Sequence, residues 1–266
     1  MRKDNFFCKL HWLLLFALGS VFTSALPAQV ILKRPGVTIS LFSETEKPNS
    51  DRPFHVAVQF QHDSGHHSYW KTPGIVGLPT KITWHLPLDW KAIPLPWPAP
   101  VRTEMAGHPC HGYKGKVVFL TKITPSGKTI PLSELKVSLQ WMACGDGCHP
   151  GFEDALLPLN AANSLPKKIK AALQELPRLA AAETIIEVSR SNKALTLQLQ
   201  LQKDQKPHHF FSQSSQWDST QDQVFEEIGG GRWRVSFLPY PTTLNAGGKP
   251  TQGVLRLQLG DAIRFP

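Results

Sequence analysis

Cys144 and Cys148 lie four positions apart in the run Cys144-Gly145-Asp146-Gly147-Cys148, and His149-Pro150-Gly151 follows directly. Cysteines at this spacing meet across one tight turn, and glycine lets the backbone bend that far without Cβ clashes. Closing so short a loop adds little stability, because the entropic gain grows with the number of residues enclosed. A staple does more when it joins distant segments. The spacing therefore points to a dithiol that opens and closes, or to two metal ligands, ahead of a static turn disulfide. Exchange chemistry requires an accessible, partly deprotonated sulfur. A protonated His149 would stabilise a Cys148 thiolate, and Asp146 would oppose it by like charge.

A third cysteine, Cys110, is flanked by His108 and His111. It reads as a half-buried free thiol, or as a third exchange partner if the fold carries it to the pair. Thiolates and imidazoles suit Cu(I) or Zn²⁺. Cys110, His111, Cys144, Cys148 and His149 thus form an alternative ligand set, that of an exported copper- or zinc-binding protein with a role in copper tolerance. His66-His67 could bind a metal, but on a loop the pair reads first as exposed polar surface. Tyr69, Trp70, Trp97 and Tyr113 are candidates to shield the pair or to meet partners, whereas Trp84, Trp90 and Trp141 read as core.

The segment around the pair reads as β-structure. Phe54 to Phe60, Lys81 to Leu86 and Leu135 to Trp141 alternate apolar and polar residues, the period of a half-buried strand. Lys116 to Thr124 is rich in β-branched and aromatic residues, and Phe152 to Leu159 can close the sheet. Pro and Gly punctuate the gaps, as at Pro73-Gly74 and Pro125-Ser126-Gly127. This spacing of short strands predicts an antiparallel sandwich. Residues 164–182 differ. Ser164 can cap a helix start, Pro166 suits its first turn, Ile169, Leu173 and Leu176 recur at helical spacing, and Pro177 ends it. Strand patterns return at Thr184 to Val188, Ala194 to Leu201, Arg232 to Leu238 and Gly253 to Leu259, with Gly229-Gly230-Gly231 as a hairpin turn.

The N-terminus has the form of a secretory signal. Arg2, Lys3 and Lys9 precede an apolar run from Leu10 to Phe22, and small residues follow to Ala28. The run is short for a membrane span, and no later stretch is apolar enough to make one. A mature chain that does not span the membrane is expected in the periplasm, where disulfides persist. Cys8 would leave with the leader. The division expected is signal 1–28, sandwich 29–162, helical linker 163–182 and a smaller β-domain 183–266. The formal net charge is +9, but the basic residues are scattered, which argues against nucleic-acid binding. No Gly-x-Ser-x-Gly elbow, phosphate-cradling loop or His-Glu-x-x-His helix supports hydrolase chemistry.

Five motifs in order carry a family likeness: Gly65-His-His-Ser-Tyr-Trp-Lys-Thr-Pro-Gly74; Gly77-Leu-Pro-Thr80 with Trp84; Trp97-Pro-Ala-Pro100; Gly112-Tyr-Lys-Gly115; and Trp141-Met-Ala-Cys-Gly-Asp-Gly-Cys-His-Pro150. Over residues 30–160 the chain resembles the periplasmic N-terminal region of DsbD/ScsB-type thiol:disulfide interchange proteins. The resemblance implies an all-β, immunoglobulin-like sandwich with Cys144 and Cys148 as the exchanging pair. It also implies a shielding loop near Glu104 to Tyr113, which would set Cys110, Tyr113, Tyr69, Trp70, Asp146 and His149 around the pair. The implied activity is an electron relay with no organic cofactor. Its partners would be thioredoxin-like periplasmic proteins and, since this sequence ends at Pro266, a separately encoded membrane electron donor. Such a relay would not be a complete protein-disulfide reductase by itself. Cys110 is not part of the family pattern. A rival reading remains, a noncatalytic β-sandwich scaffold whose cysteines only pin a turn.

Overall fold

The computed structural model describes residues 29–48, 52–126, 132–191, 194–214, 216–239 and 251–266. The expected leader, Cys8 within it, and Gly127 of the Pro125-Ser126-Gly127 turn lie outside the described residues. The N-terminal strands are β1 (Val30–Arg34), β2 (Val37–Ser43), β3 (Phe54–His62), β4 (His67–Tyr69), β5 (Lys81–His85) and β6 (Lys91–Pro94). They continue as β7 (Val101–Met105), β8 (His108–Lys114), β9 (Lys116–Thr124), β10 (Glu134–Cys144) and β11 (Cys148–Pro158). One sheet runs β1-β2-β3-β9-β6, and the other runs β11-β10-β4-β8-β7 with β5 also paired to β10. All these pairings are antiparallel. The two inner faces meet in a core of Ile39, Val58, Phe60, Phe119, Val137, Leu139 and Trp141. This is the expected immunoglobulin-like sandwich.

The helix α1 (Pro166–Gln174) is shorter than the pattern suggested, and Ser164 does not cap it. Leu165 holds the cap position without a side-chain bond, while the Ser164 hydroxyl reaches the Glu44 carbonyl. Pro166 occupies the first turn, as its fixed φ favours. The helix also does more than connect. Ile169 and Ala172 pack on Phe42, Ala57, Val118 and Leu120, the outward side chains of the first sheet. That second covering explains why β9 is buried on both faces from Val117 to Thr121.

The C-terminal strands are β12 (Arg178–Leu179), β13 (Ile185–Arg190), β14 (Leu195–Gln200), β15 (Pro207–Ser212) and β16 (Trp217–Asp218). After them come β17 (Glu226–Gly229), β18 (Arg232–Pro239), β19 (Gly253–Leu257) and β20 (Ala262–Phe265). They form the sheets β12-β20-β19-β15 and β13-β14-β18-β16, with β17 on β18. Leu197, Phe210, Trp217, Val235 and Leu255 fill this smaller core. The hairpin at Gly229-Gly230-Gly231 has positive φ at all three glycines, which other residues resist. The two β units are not separate bodies joined by a linker. Phe211 and Val254 enter the N-terminal core itself. Among the described residues no helix is long and apolar enough to cross a membrane.

Candidate functional site

The pair sits where β10 ends and β11 begins. Cys144 and Cys148 are the last residues of that ladder to oppose each other, with Cα atoms 4.1 Å apart, and their sulfurs are joined in a disulfide. Gly145 N donates to Gly147 O at 2.9 Å and closes the turn. Neither turn glycine has a positive φ. What Gly145 supplies is room, since a Cβ there would come within 2.8 Å of the His66 ring.

Strand alternation decides what surrounds the sulfurs. Trp141 and Ala143 point into the core, so Cys144 points to the outer face of the second sheet. There it joins Tyr69 and Cys110 in a satellite cluster with Val76, Met105 and Met142. The same rule corrects two expectations. Trp70 and Tyr113 occupy core-facing positions beside Tyr69 and Gly112, and both belong to the main core, not to the surroundings of the pair. The Tyr113 hydroxyl donates to Pro98 O at 2.8 Å. The expected shielding loop is itself β-structure: β7 and β8 form a hairpin turning at Ala106-Gly107. It contributes Met105 and Cys110. The rest of the roof comes from the stretch after Tyr69, where Gly77 lies so close that a Cβ would meet the Tyr69 ring at 2.2 Å.

The two cysteines differ sharply in access. Cys144 is 1% exposed, whereas Cys148 and its neighbours Gly145, Asp146, Gly147, His149 and Pro150 are all exposed. The His149 ring stacks on His66 with centroids 6.5 Å apart. A cavity of about 220 Å³ adjoins this end of β11, lined by Arg34, Trp141, His149, Pro150 and Phe152 among others. Phe152 is 70% exposed, a large apolar side chain left to solvent four residues from Cys148.

His67 is the residue directly across from Cys144. It is buried, not surface as the sequence suggested, and its Nε2 has no hydrogen-bond partner; neither has the Tyr69 hydroxyl. Burial, and then Lys114, lowers the His67 pKa to about 4, so the ring is neutral at neutral pH. Burial, and then Cys110, raises the Tyr69 phenol well above its ordinary value. His67 is thus the site residue that sequence reasoning misplaced, while His66 stays part-exposed beside the turn. The signal for His67 was the His-x-Tyr alternation of a strand, which means little until its partner strands are known.

Cys110 is a free, fully buried thiol. Burial, and then Glu104, raises its pKa to about 11 and keeps it protonated. Cys144 opposes His67, and His67 opposes Lys114, four residues along β8 from Cys110. At about 4.8 Å per strand and about 3.3 Å per residue, that register puts the Cα atoms of Cys110 and Cys144 roughly 16 Å apart. A disulfide needs less than about 7 Å. Direct exchange between them is therefore outside the reach of this sheet, and Tyr69 lies between. The alternative metal set is not assembled either. His111 faces the core, where its two ring nitrogens meet Thr72 O at 3.3 Å and Ser219 O at 3.1 Å, with Phe211 against its ring. Among the described residues no group of three or more His, Cys, Asp or Glu converges as a ligand set.

Three comparisons place this geometry. Residues 42–160 match the family model described as "Thiol:disulfide interchange protein DsbD, N-terminal". The fold is similar to the N-terminal periplasmic domain of ScsB from Proteus mirabilis, with a TM-score of 0.63 at 20% identity, covering 89% of this chain and 96% of that one. The reduced N-terminal domain of Neisseria meningitidis DsbD also matches, at 12% identity over 49% of this chain and 92% of that one, with a TM-score of 0.30 too low to carry an argument. No curated protein sequence matches.

Proposed function

We propose, from the match of residues 42–160 to the DsbD N-terminal family, that this protein is a periplasmic thiol–disulfide exchange protein. It relays electron pairs from a membrane donor to thioredoxin-like proteins through Cys144 and Cys148. The observation that carries the roles is the asymmetry of the pair, one sulfur on a buried residue and one on an exposed turn.

A donor thiolate attacks the Cys148 sulfur. The Cys144–Cys148 bond breaks, and a donor–Cys148 mixed disulfide forms. Cys144 leaves as a thiolate and takes up a proton. The donor's second thiol then displaces Cys148, which leaves the donor oxidised and this pair reduced by two electrons. In the forward direction the Cys148 thiolate attacks an acceptor disulfide, and Cys144 attacks Cys148 to release the reduced acceptor. The strand end holds Cys144 within one turn of Cys148, so this second attack is intramolecular and fast relative to escape of the partner. Exposed Phe152, Pro150 and His149 form the rim against which a partner docks.

The experiment is covalent trapping. Cys144→Ser keeps the accessible sulfur without its resolving partner, so it accumulates a mixed disulfide with an oxidised thioredoxin-like protein. Cys148→Ser accumulates little. Equal trapping by both variants overturns the assignment of roles. Loss of stability in each with no trapping by either returns the pair to a static turn disulfide in a scaffold.

A further inference from the structure

A second site lies between the two β units, away from the disulfide. A cavity of about 620 Å³ opens there, walled by Trp70, Trp97, Leu95, Val254 and Phe265, with Ile93 half exposed at its edge. That volume is within the range that encloses a small organic molecule. Two cations, Lys71 and Arg264, line it. Lys71 follows β4 and lies over the Trp70 ring at 5.7 Å. Arg264 is on β20 opposite Val254, so the two share the face turned toward the N-terminal sandwich, while Ile263 and Phe265 fill the smaller core. No carboxylate among the described residues pairs with Lys71 or Arg264. The remaining polar lining is the neutral amides Gln213 and Gln252 and the carboxylate end of Pro266, which makes no ion pair with Lys71 or Arg264.

Like charges held together in a partly desolvated, aromatic-walled space repel, and an anion between them removes the repulsion. Burial, and then Arg264, already lowers the Lys71 pKa, as that crowding requires. The apolar walls add area for a hydrophobic body. We propose that this cavity binds a freely diffusing organic anion with an apolar tail or ring, the anionic group between Lys71 and Arg264 and the body against the part-exposed Ile93, Leu95 and Trp97. The site is independent of the thiol chemistry, and a Cys148→Ser chain binds the same ligand.

The test is isothermal titration of the full chain with sodium decanoate, and with decan-1-ol, sodium acetate and inorganic phosphate as probes lacking the charge or the tail. Lys71→Gln and Arg264→Gln are the variants; the Lys71 side chain is exposed by area and Arg264 half-buried, neither sits in the core, so the fold is retained, and circular dichroism checks it. Saturable decanoate binding is expected, at least tenfold weaker in each variant and at least tenfold tighter than any of the other three probes. No decanoate binding, binding equal to that of decan-1-ol, phosphate binding as tight as decanoate, or affinity unchanged in both variants would overturn the proposal.

Discussion

Cys144 and Cys148 share a bond but not an environment, and the difference follows from side-chain direction at the end of one ladder. In the proposed relay the inward partner can wait, packed under Tyr69 and Met105, because it acts only on a sulfur already delivered to it. The outward one must be reached. In the reduced protein, iodoacetamide should therefore modify Cys148 first, with Cys144 slower by at least tenfold and Cys110, buried and held protonated, slower still. Peptide mapping after a timed pulse reads the order, and fastest labelling at Cys110 would contradict it. The buried histidines give a pH signature. His67 and His111 are each lowered to about 4 and His209 to about 3, in every case chiefly by burial. A histidine ordinarily titrates near 6.5, so as pH falls from about 6.5 toward 4 the unfolded chain gains protons that the folded chain refuses. Stability is full above that window and drops within it. Each pKa unit is worth about 1.4 kcal/mol, so each ring contributes on the order of 2–3 kcal/mol to the loss by pH 4. The urea midpoint should fall steeply between pH 6.5 and 4, and a flat midpoint contradicts this.

At the scale of elements, the roof over Cys144 depends on one contact. Gly77 has φ +93°, and any Cβ there would overlap the Tyr69 ring. Gly77→Ala should cost about 1–3 kcal/mol, as overpacking does. By shifting Tyr69 it should also raise the alkylation rate of reduced Cys144 severalfold; an unchanged rate would mean that Tyr69 is not the shield. The alternating strands β3 and β10 and the β-branched, aromatic run of β9 were legible in the sequence, and so was the turn carrying the pair. The hairpin β7–β8 was not. His108-Pro109-Cys110-His111-Gly112 has neither clean alternation nor β-branched residues, and its strand form comes from pairing with β7 and β4. The same gap hid the site's other members. Which of Tyr69 and Trp70 meets the sulfur depends on register, and a shift of one residue exchanges the faces. His67 could be recognised as a neighbour of Cys144 only once β4 was known to pair with β10.

At the scale of the whole molecule, the C-terminal unit is bound to the sandwich by shared core. Phe211 lies against Trp70 and His111, and Ser219 O lies 3.1 Å from His111 Nε2 and 2.8 Å from His209 Nε2. Arg256 donates to Ala99 O and Pro100 O at 2.8 and 2.7 Å. Two units joined this way should unfold together, giving one calorimetric transition whose van't Hoff and calorimetric enthalpies agree. Phe211→Ala, which opens a void at the junction and costs about 3–5 kcal/mol, should separate the transition into two. Two transitions in the unaltered chain would contradict the shared core. The basic surface and the sandwich follow from composition and pattern, but this junction does not, because Phe211 and Val254 read as ordinary strand residues of their own sheet.

The reduction potential of Cys144–Cys148, measured by equilibration in thiol–disulfide buffers with reduced and oxidised forms quantified by mass, tests the relay most directly. Structural disulfides of exported proteins lie below about −300 mV and exchange-active ones above it. A reversible couple above that value is predicted. A pair that stays oxidised well below it would be a fixed clasp at the end of a hairpin, with no electrons to pass on.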